Sequence, residues 1–260
     1  MVQMPKQVKA LSAIEVKRLS KTGFQAVGTI PGLGLMITPQ DTKSWVYRVS
    51  YGGARRKMGL GGYPAVTLAQ AIEKAIKKIN SIGGGTVLIP KGEWLTGKIH
   101  FRNNVNLHLA KGAILVFSDD PKDYLPSVHS TWEGYECYNY SPLIYAYQCK
   151  NIAVTGLGEI KAKMDVWEKW FARPKAHMES LKRLYNLSGQ NVPVVERQMV
   201  NDTAHLRPQF IQFNRSENIL LEGITITNSP FWTIHLYLSK EIVVRNVKIW
   251  AHGHNNDGLD

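Results

Sequence analysis

"NVNLHLAKGAILVF", residues 104–117, is a short alternating strand, a bend of one or two residues, and a second short strand. The pattern returns as "NIAVTGLGEIKA" from Asn151, "NILLEGITITNS" from Asn218 and "EIVVRNVKIWAH" from Glu241. The starts lie 47, 67 and 23 residues apart. A step near 23 is one turn of a parallel β-solenoid and 47 is about two. The step of 67 includes "DVWEKWFARPKAHMESLKRLYNLSG" (165–189), which reads as a helical excursion. A β-sandwich would need hairpin turns such as Asn-Gly between strands, and these are scarce. The expectation is a mainly β protein: a parallel β-helix with an N-terminal capping helix, preceded by a small α+β module.

The capping helix is "TLAQAIEKAIKKIN" (67–80). Leu68, Ile72, Ala75, Ile76 and Ile79 form one stripe, and Lys74, Lys77 and Lys78 face away. "GGG" (83–85) ends it, and "TVLIP" (86–90) is a buried strand. A step of 23 places Ile234 over Asp257, so "TIH" (233–235) packs over "NDG" (256–258). His235 and Trp232 then share a face with Asp257, and His252 and His254 enter the same coil. A solenoid groove lined by aromatics and carboxylates suits an extended sugar polymer, because aromatic faces stack on sugar rings.

Ahead of the helix the composition changes. Net charge is +12 over 260 residues. Residues 1–66 hold ten Lys/Arg against Glu15 and Asp41, a surplus of +8; the remainder holds 22 against 18, a surplus of +4. Such asymmetry marks two modules, 1–66 and 67–260, the first with a polyanionic partner. "LSAIEVKRL" (11–19) reads as a helix with a Ser12/Glu15 capping box. "GLGLMIT" (32–38), "SWVYRVSY" (44–51) and, after Gly52-Gly53, "ARRKMGLG" (54–61) read as a three-stranded antiparallel sheet. Arg48, Arg55, Arg56 and Lys57 lie on or near one hairpin, where cations can meet DNA phosphates. No apolar run approaches membrane-spanning length, and there is no h-region of a signal peptide, so the expected location is the cytoplasm. Cys137 and Cys149 form no CxxC and are expected to be free and buried.

Two resemblances sharpen this. "GLGL", "KSWVYR" and "LGGYPAVTLAQA", within residues 11–71, resemble the arm-type DNA-binding domain of phage and genomic-island tyrosine integrases. The resemblance implies DNA binding without recombination, since no recombinase motif follows. "GGGTVLIPKGEWLTGKIHFRNNVNLHLAKGAIL" (83–115), "WEGYECYNYSPLIYAY" (132–147), "HLRPQFIQF" (205–213), "NSPFWTIH" (228–235) and "HGHNNDGLD" (252–260) resemble family 28 glycoside hydrolases, the polygalacturonases, in their bacterial branch. That resemblance implies a right-handed parallel β-helix acting on α-1,4-galacturonan of pectin with inversion.

It also implies roles. Asn255-Asn256-Asp257 matches the family's Asn-x-Asp motif, which makes Asp257 the water-activating base and places Asn255 beside it. Asp260 matches a position for substrate contact. Trp232, His235 and His252 are further candidates for substrate contact; His235 could equally be a satisfied groove histidine. Arg207 either grips a substrate carboxylate or pairs with a local acid. The family needs neither metal nor cofactor. Its Asp-Asp pair, which includes the general acid, and its Gly-His-Gly and Arg-x-Lys motifs do not occur after Asp257. The expectation is a fusion of two fragments, cut at the catalytic motif and probed by two rivals: a DNA-binding arm with a passive β-helix, and a sugar-binding solenoid without turnover.

Overall fold

The computed structural model describes residues 17–26, 33–51, 54–63, 68–89 and 91–260. Residues 11–16 and 52–53, in the expected first helix and hairpin turn, fall outside these. The first module is an antiparallel sheet of Gly23–Ala26, Leu33–Ile37, Lys43–Tyr51 and Ala54–Gly62, in that order. It has one strand more than the three expected. Gly23–Ala26 is only four residues long, too short for an alternation to stand out, and its pairing to Leu33–Ile37 defines it. The register of the hairpin sets Arg48 opposite Lys57, Val49 opposite Arg56 and Ser50 opposite Arg55.

The helix Leu68–Ser81 leads out of this module. Ile72, Ala75, Ile76 and Ile79 are buried against Val87, Ile89, Trp94 and Ile99, closing the first coil of the solenoid. Each fully buried isoleucine contributes roughly 1.5–3 kcal/mol, and the helix covers strand ends that would otherwise pair with other chains.

Three parallel sheets form the right-handed β-helix. The second sheet stacks Gly85–Ile89, Val105–Leu109, Lys150–Gly156, Glu217–Glu222 and Lys240–Arg245; the third stacks Gly92–Thr96, Ala113–Phe117, Glu159–Ala162, Thr225–Thr227 and Lys248–Trp250. Ile152 pairs with Val105 and with Ile219, and Ile219 with Ile242, so the alternating pairs read from the sequence stack in register, but the step of 47 is a single coil and not the two expected, its extra chain including the hairpin Val128–Trp132 with Tyr135–Asn139. Asn104, Asn151 and Asn218 open successive coils with φ of 61°, 55° and 56°, a left-handed bend that asparagine tolerates. Asn151 Nδ2 donates to Asn104 Oδ1 at 2.7 Å, and Asn218 Nδ2 to Asn151 Oδ1 at 2.8 Å. Glu241 makes the same bend on the next coil.

The first sheet, Ile99–His100, Ile144–Tyr147, Ile211–Asn214 and Ile234–His235, positions the site. Ile99, Ile144, Ile211 and Ile234 point into the core, so their neighbours His100, Tyr145, Gln212 and His235 form a column on the outer face.

Candidate active site

A hairpin, Val128–Trp132 with Tyr135–Asn139, lies across the middle of that column. Its two-residue turn has φ of 47° at Glu133 and 84° at Gly134, the hairpin-type turn that takes positive φ at both positions. Tyr145 Oη donates to the His129 carbonyl, Ser130 Oγ to Gln212 Oε1 at 3.0 Å, and Gln209 Nε2 to the Thr131 carbonyl at 2.7 Å. Ser130, Gln209 and Gln212 are fully buried beneath it. The excursion supplies the helix Lys175–Gly189, whose Leu181 and Leu184 join Trp132, Cys137, Met199, Leu206 and Phe231 in a second apolar core. Hairpin and excursion thus form a wall on the outer face of the first sheet.

His235 lies at the foot of this wall. Gln212 Nε2 donates to its Nδ1 at 3.0 Å, the tautomer left by Ser130 bonding the amide oxygen. Burial lowers the His235 pKa to about 4, so the ring is neutral at neutral pH with Nε2–H as its remaining donor. Trp232 stands edge-on to it, centroids 4.9 Å apart, and stacks on Phe231, which stacks on Trp132 at 3.9 Å.

Residues 257–260 continue the first sheet. Thr233 N–H donates to the Asp257 carbonyl at 2.9 Å, Asp260 N–H to Ile234 at 2.9 Å, and Leu236 N–H to Asp260 at 3.1 Å. The last two bonds bracket His235, so Asp260 is its neighbour in the column and Leu259 lies over Ile234. The expected superposition of Ile234 on Asp257 is therefore displaced by two residues. The turn at 252–256 absorbs the difference: Gly253 takes φ of 125° against the Phe171 ring, and Asn255 takes φ of 55°. The shift is even, so the alternation of faces survives it.

The motif is clamped on both sides. Asn255 Nδ2 donates to Glu133 Oε1 at 3.2 Å, and Tyr185 Oη holds the other Glu133 oxygen at 2.7 Å. Asn256 Nδ2 donates to the Ser229 carbonyl. Neither Glu133 nor Ser229 stands out in the sequence, although Glu-Gly between Trp132 and Tyr135 is a turn signal. Arg207 does neither of the things expected of it. It is fully buried, and its Nη1 donates to the carbonyls of Pro230 at 2.8 Å and His254 at 3.0 Å. Phe171, Phe231 and Trp132 surround the guanidinium at 5.0, 5.4 and 5.8 Å. Burial lowers its pKa to about 10, with Glu133 opposing, and it stays charged. It staples the Asp257 loop to the wall.

Asp257 itself is exposed, as are His252 and Asp260. Burial, and then the charge of Asp257, raise the Asp260 pKa. A carboxyl whose proton affinity is raised by burial and by a second carboxylate in electrostatic range is raw material for acid–base chemistry. Among the described residues no group of three or more His, Cys, Asp or Glu is placed to hold a metal. Cys137 and Cys149 are free and buried. No described helix is long and apolar enough to cross a membrane.

Comparison with known proteins finds two families. Residues 6–86 match the arm DNA-binding domain model, and residues 182–260 match glycosyl hydrolases family 28. The first match runs through the capping helix. An exopolygalacturonase structure from Thermotoga maritima is 40% identical with a TM-score of 0.70, covering 74% of this chain and 45% of that one. A probable polygalacturonase of Vitis vinifera is 25% identical over 193 residues, 71% of this chain and 34% of the relative. The polygalacturonase of Erwinia carotovora, at 20% identity and TM-score 0.53, covering 75% of this chain and 48% of that one, shares the fold. The chain spans about a third to a half of the length of these relatives. It joins a module that matches arm DNA-binding domains to a right-handed parallel β-helix that resembles the family 28 glycoside hydrolases.

Proposed function

We propose that the β-helix carries the base half of an inverting, galacturonan-directed hydrolase site, with Asp257 activating water. The observation that carries this reading is the placement of Asp257 on an open stretch of sheet, clamped through Asn255, Asn256 and Arg207, and in electrostatic range of Asp260, which is the neighbour of His235. Inversion needs a second carboxyl about 6.5–9.5 Å away across the glycosidic bond. Asp260 stands on the same strand as Asp257, so these 260 residues supply a base without an acid facing it. The wall also favours attack at chain ends. One rung beyond His235, Gln212 is sealed under Ser130, so a polymer cannot continue along the column.

The test is reducing-sugar release from polygalacturonate by this polypeptide and by Asp257→Asn, together with oligogalacturonate binding. The expectation is binding without turnover, with affinity per chain end independent of oligomer length. Turnover that disappears in Asp257→Asn would refute the missing acid, and affinity that grows with length would refute end-binding. We propose that the first module binds duplex DNA through the Arg48–Lys57 hairpin, a reading supported by its match to arm domains and its surplus of +8. Because phosphate neutralisation releases counterions, affinity should fall steeply with salt; equal affinity at low and moderate salt would refute it.

A further inference from the structure

The capping helix has two faces with different work. One plugs the solenoid through Ile72, Ala75, Ile76 and Ile79. On the other, Lys74, Lys77 and Lys78 are exposed at i, i+3 and i+4, on one side of the helix. This face borders an open concavity of about 840 Å³ whose far side is the arm hairpin, through Lys57, Gly59 and Gly61. Among the described residues, four lysines line it, with Ser81 and the two glycines. The helix of a solenoid cap needs only a solvated outer face, and such faces usually mix both signs of charge. Here the described lining carries lysines, with Glu73 turned to the neighbouring cleft, and it comes from two modules that meet at this point.

Lys77 also lines a second cleft, about 610 Å³, where Lys98, Arg102 and Lys122 stand with Glu73 and Asp123. The positive strip therefore continues from the arm sheet over the helix onto the first coil. Glycine at 59 and 61 leaves the floor of the concavity low, so a bulky backbone can approach. Cations spread across a hairpin and a helix face match the repeated phosphates of duplex DNA: a two-stranded ribbon fits the major groove, and cations flanking it meet the strand backbones.

We propose that the DNA-binding surface does not stop at the arm sheet but runs onto the capping helix, with Lys74, Lys77 and Lys78 as phosphate contacts beside Lys57. The inference rests on the reading of the arm module as DNA-binding. It makes the helix a shared part: its apolar face belongs to the solenoid and its basic face to the nucleic acid.

The experiment uses the whole 260-residue chain, a mixed-sequence DNA duplex and a salt series. Three proteins are compared: the parent, Lys74→Ala/Lys77→Ala/Lys78→Ala, and Arg55→Ala/Arg56→Ala/Lys57→Ala. Each phosphate contact contributes about −0.9 to the slope of log affinity against log salt. The helix triple should lose at least tenfold in affinity at low salt and flatten the slope by roughly two to three, with its thermal unfolding unchanged. A helix triple that binds with the parent's affinity and slope, while the hairpin triple is weakened, overturns the extension and leaves the arm reading standing. A parent that binds no DNA overturns both. A helix triple that keeps DNA but loses polygalacturonate overturns the proposal in favour of an acidic polysaccharide on the same strip.

Discussion

Acidification from pH 7 to pH 5 should destabilise the β-helix, with His235 as a main cause. In the folded chain its pKa is about 4; unfolded, it returns to about 6.5. The unfolded state therefore binds a proton that the folded state refuses. A depressed pKa of this kind contributes stability that is full above the unfolded value and is lost as pH falls from about 6.5 toward 4. At pH 5 the unfolded ring is almost wholly protonated and the folded one almost wholly neutral. Linkage then puts the loss at roughly 2 kcal/mol relative to pH 7. A folded value one unit higher still leaves about 1.5 kcal/mol. The local cause is visible: a proton on Nδ1 would face the Gln212 amide N–H, and Ser130 on Oε1 resists the flip that would relieve it. His100, held near 4 by burial and by Lys98, Arg102 and Lys77, adds a loss in the same direction. The assay is urea unfolding at pH 7 and pH 5 followed by tryptophan fluorescence, which reports mainly on the solenoid because six of the seven tryptophans follow residue 90. His235→Gln keeps an acceptor for Gln212 and cannot titrate. Its stability should fall by about 2 kcal/mol less than the parent's over this interval. Equal falls in the two proteins would refute the assignment.

Other expectations are more local. Asp257→Asn removes one of the two causes that raise Asp260, so the Asp260 carboxyl should titrate lower in the variant, as followed by carbonyl NMR; an unchanged titration would uncouple the pair. Arg207→Met should speed hydrogen exchange in residues 252–257 while leaving Val105–Leu109 protected, because the staple to His254 goes and the coil core does not; uniform protection in both segments would remove the staple from the account. Gly156→Ala sets a Cβ 1.9 Å from the Leu109 carbonyl oxygen at a φ of 113°, and should cost more than about 3 kcal/mol by denaturant unfolding. A normal midpoint would show that the coils can part there.

The solenoid was legible because its physics is periodic. Stacked coils put apolar residues on the core side of every strand, and the left-handed bend asks for the same residue type at Asn104, Asn151 and Asn218. The capping helix was legible for a similar reason, its apolar stripe at helical spacing. Asp257 could be picked out from the motif around it. What escaped was aperiodic. The wall hairpin turns at Glu133-Gly134, where a glutamate takes the left-handed position that Asn or Asp usually fills. Its strand Val128–Trp132 has a polar centre because Ser130 bonds Gln212 in the column and His129 meets Glu136 and the Tyr138 and Tyr147 rings. The two-residue offset at Asp257 escaped because extrapolating a repeat cannot foresee a turn that takes up extra chain. Arg207 looked like a residue for an acidic ligand; only the surrounding rings and carbonyls reveal it as a clamp.

One consequence concerns how such a molecule can vary. The coil from Asn151 to Asn218 takes 67 residues where the next needs 23, yet the rungs on either side keep their register and their asparagine bond. The long segment leaves the coil at one corner and returns at the same level. Loop closure grows dearer only slowly with length, so the scaffold is nearly indifferent to what is hung there. The outer part of the segment is thus an interchangeable fitting, provided that Tyr185 and Arg207, which hold the turn before Asp257 through Glu133 and the His254 carbonyl, are kept. Lengthening or trimming that part can redraw what reaches Asp257, while the coils stacked beneath go on unaltered.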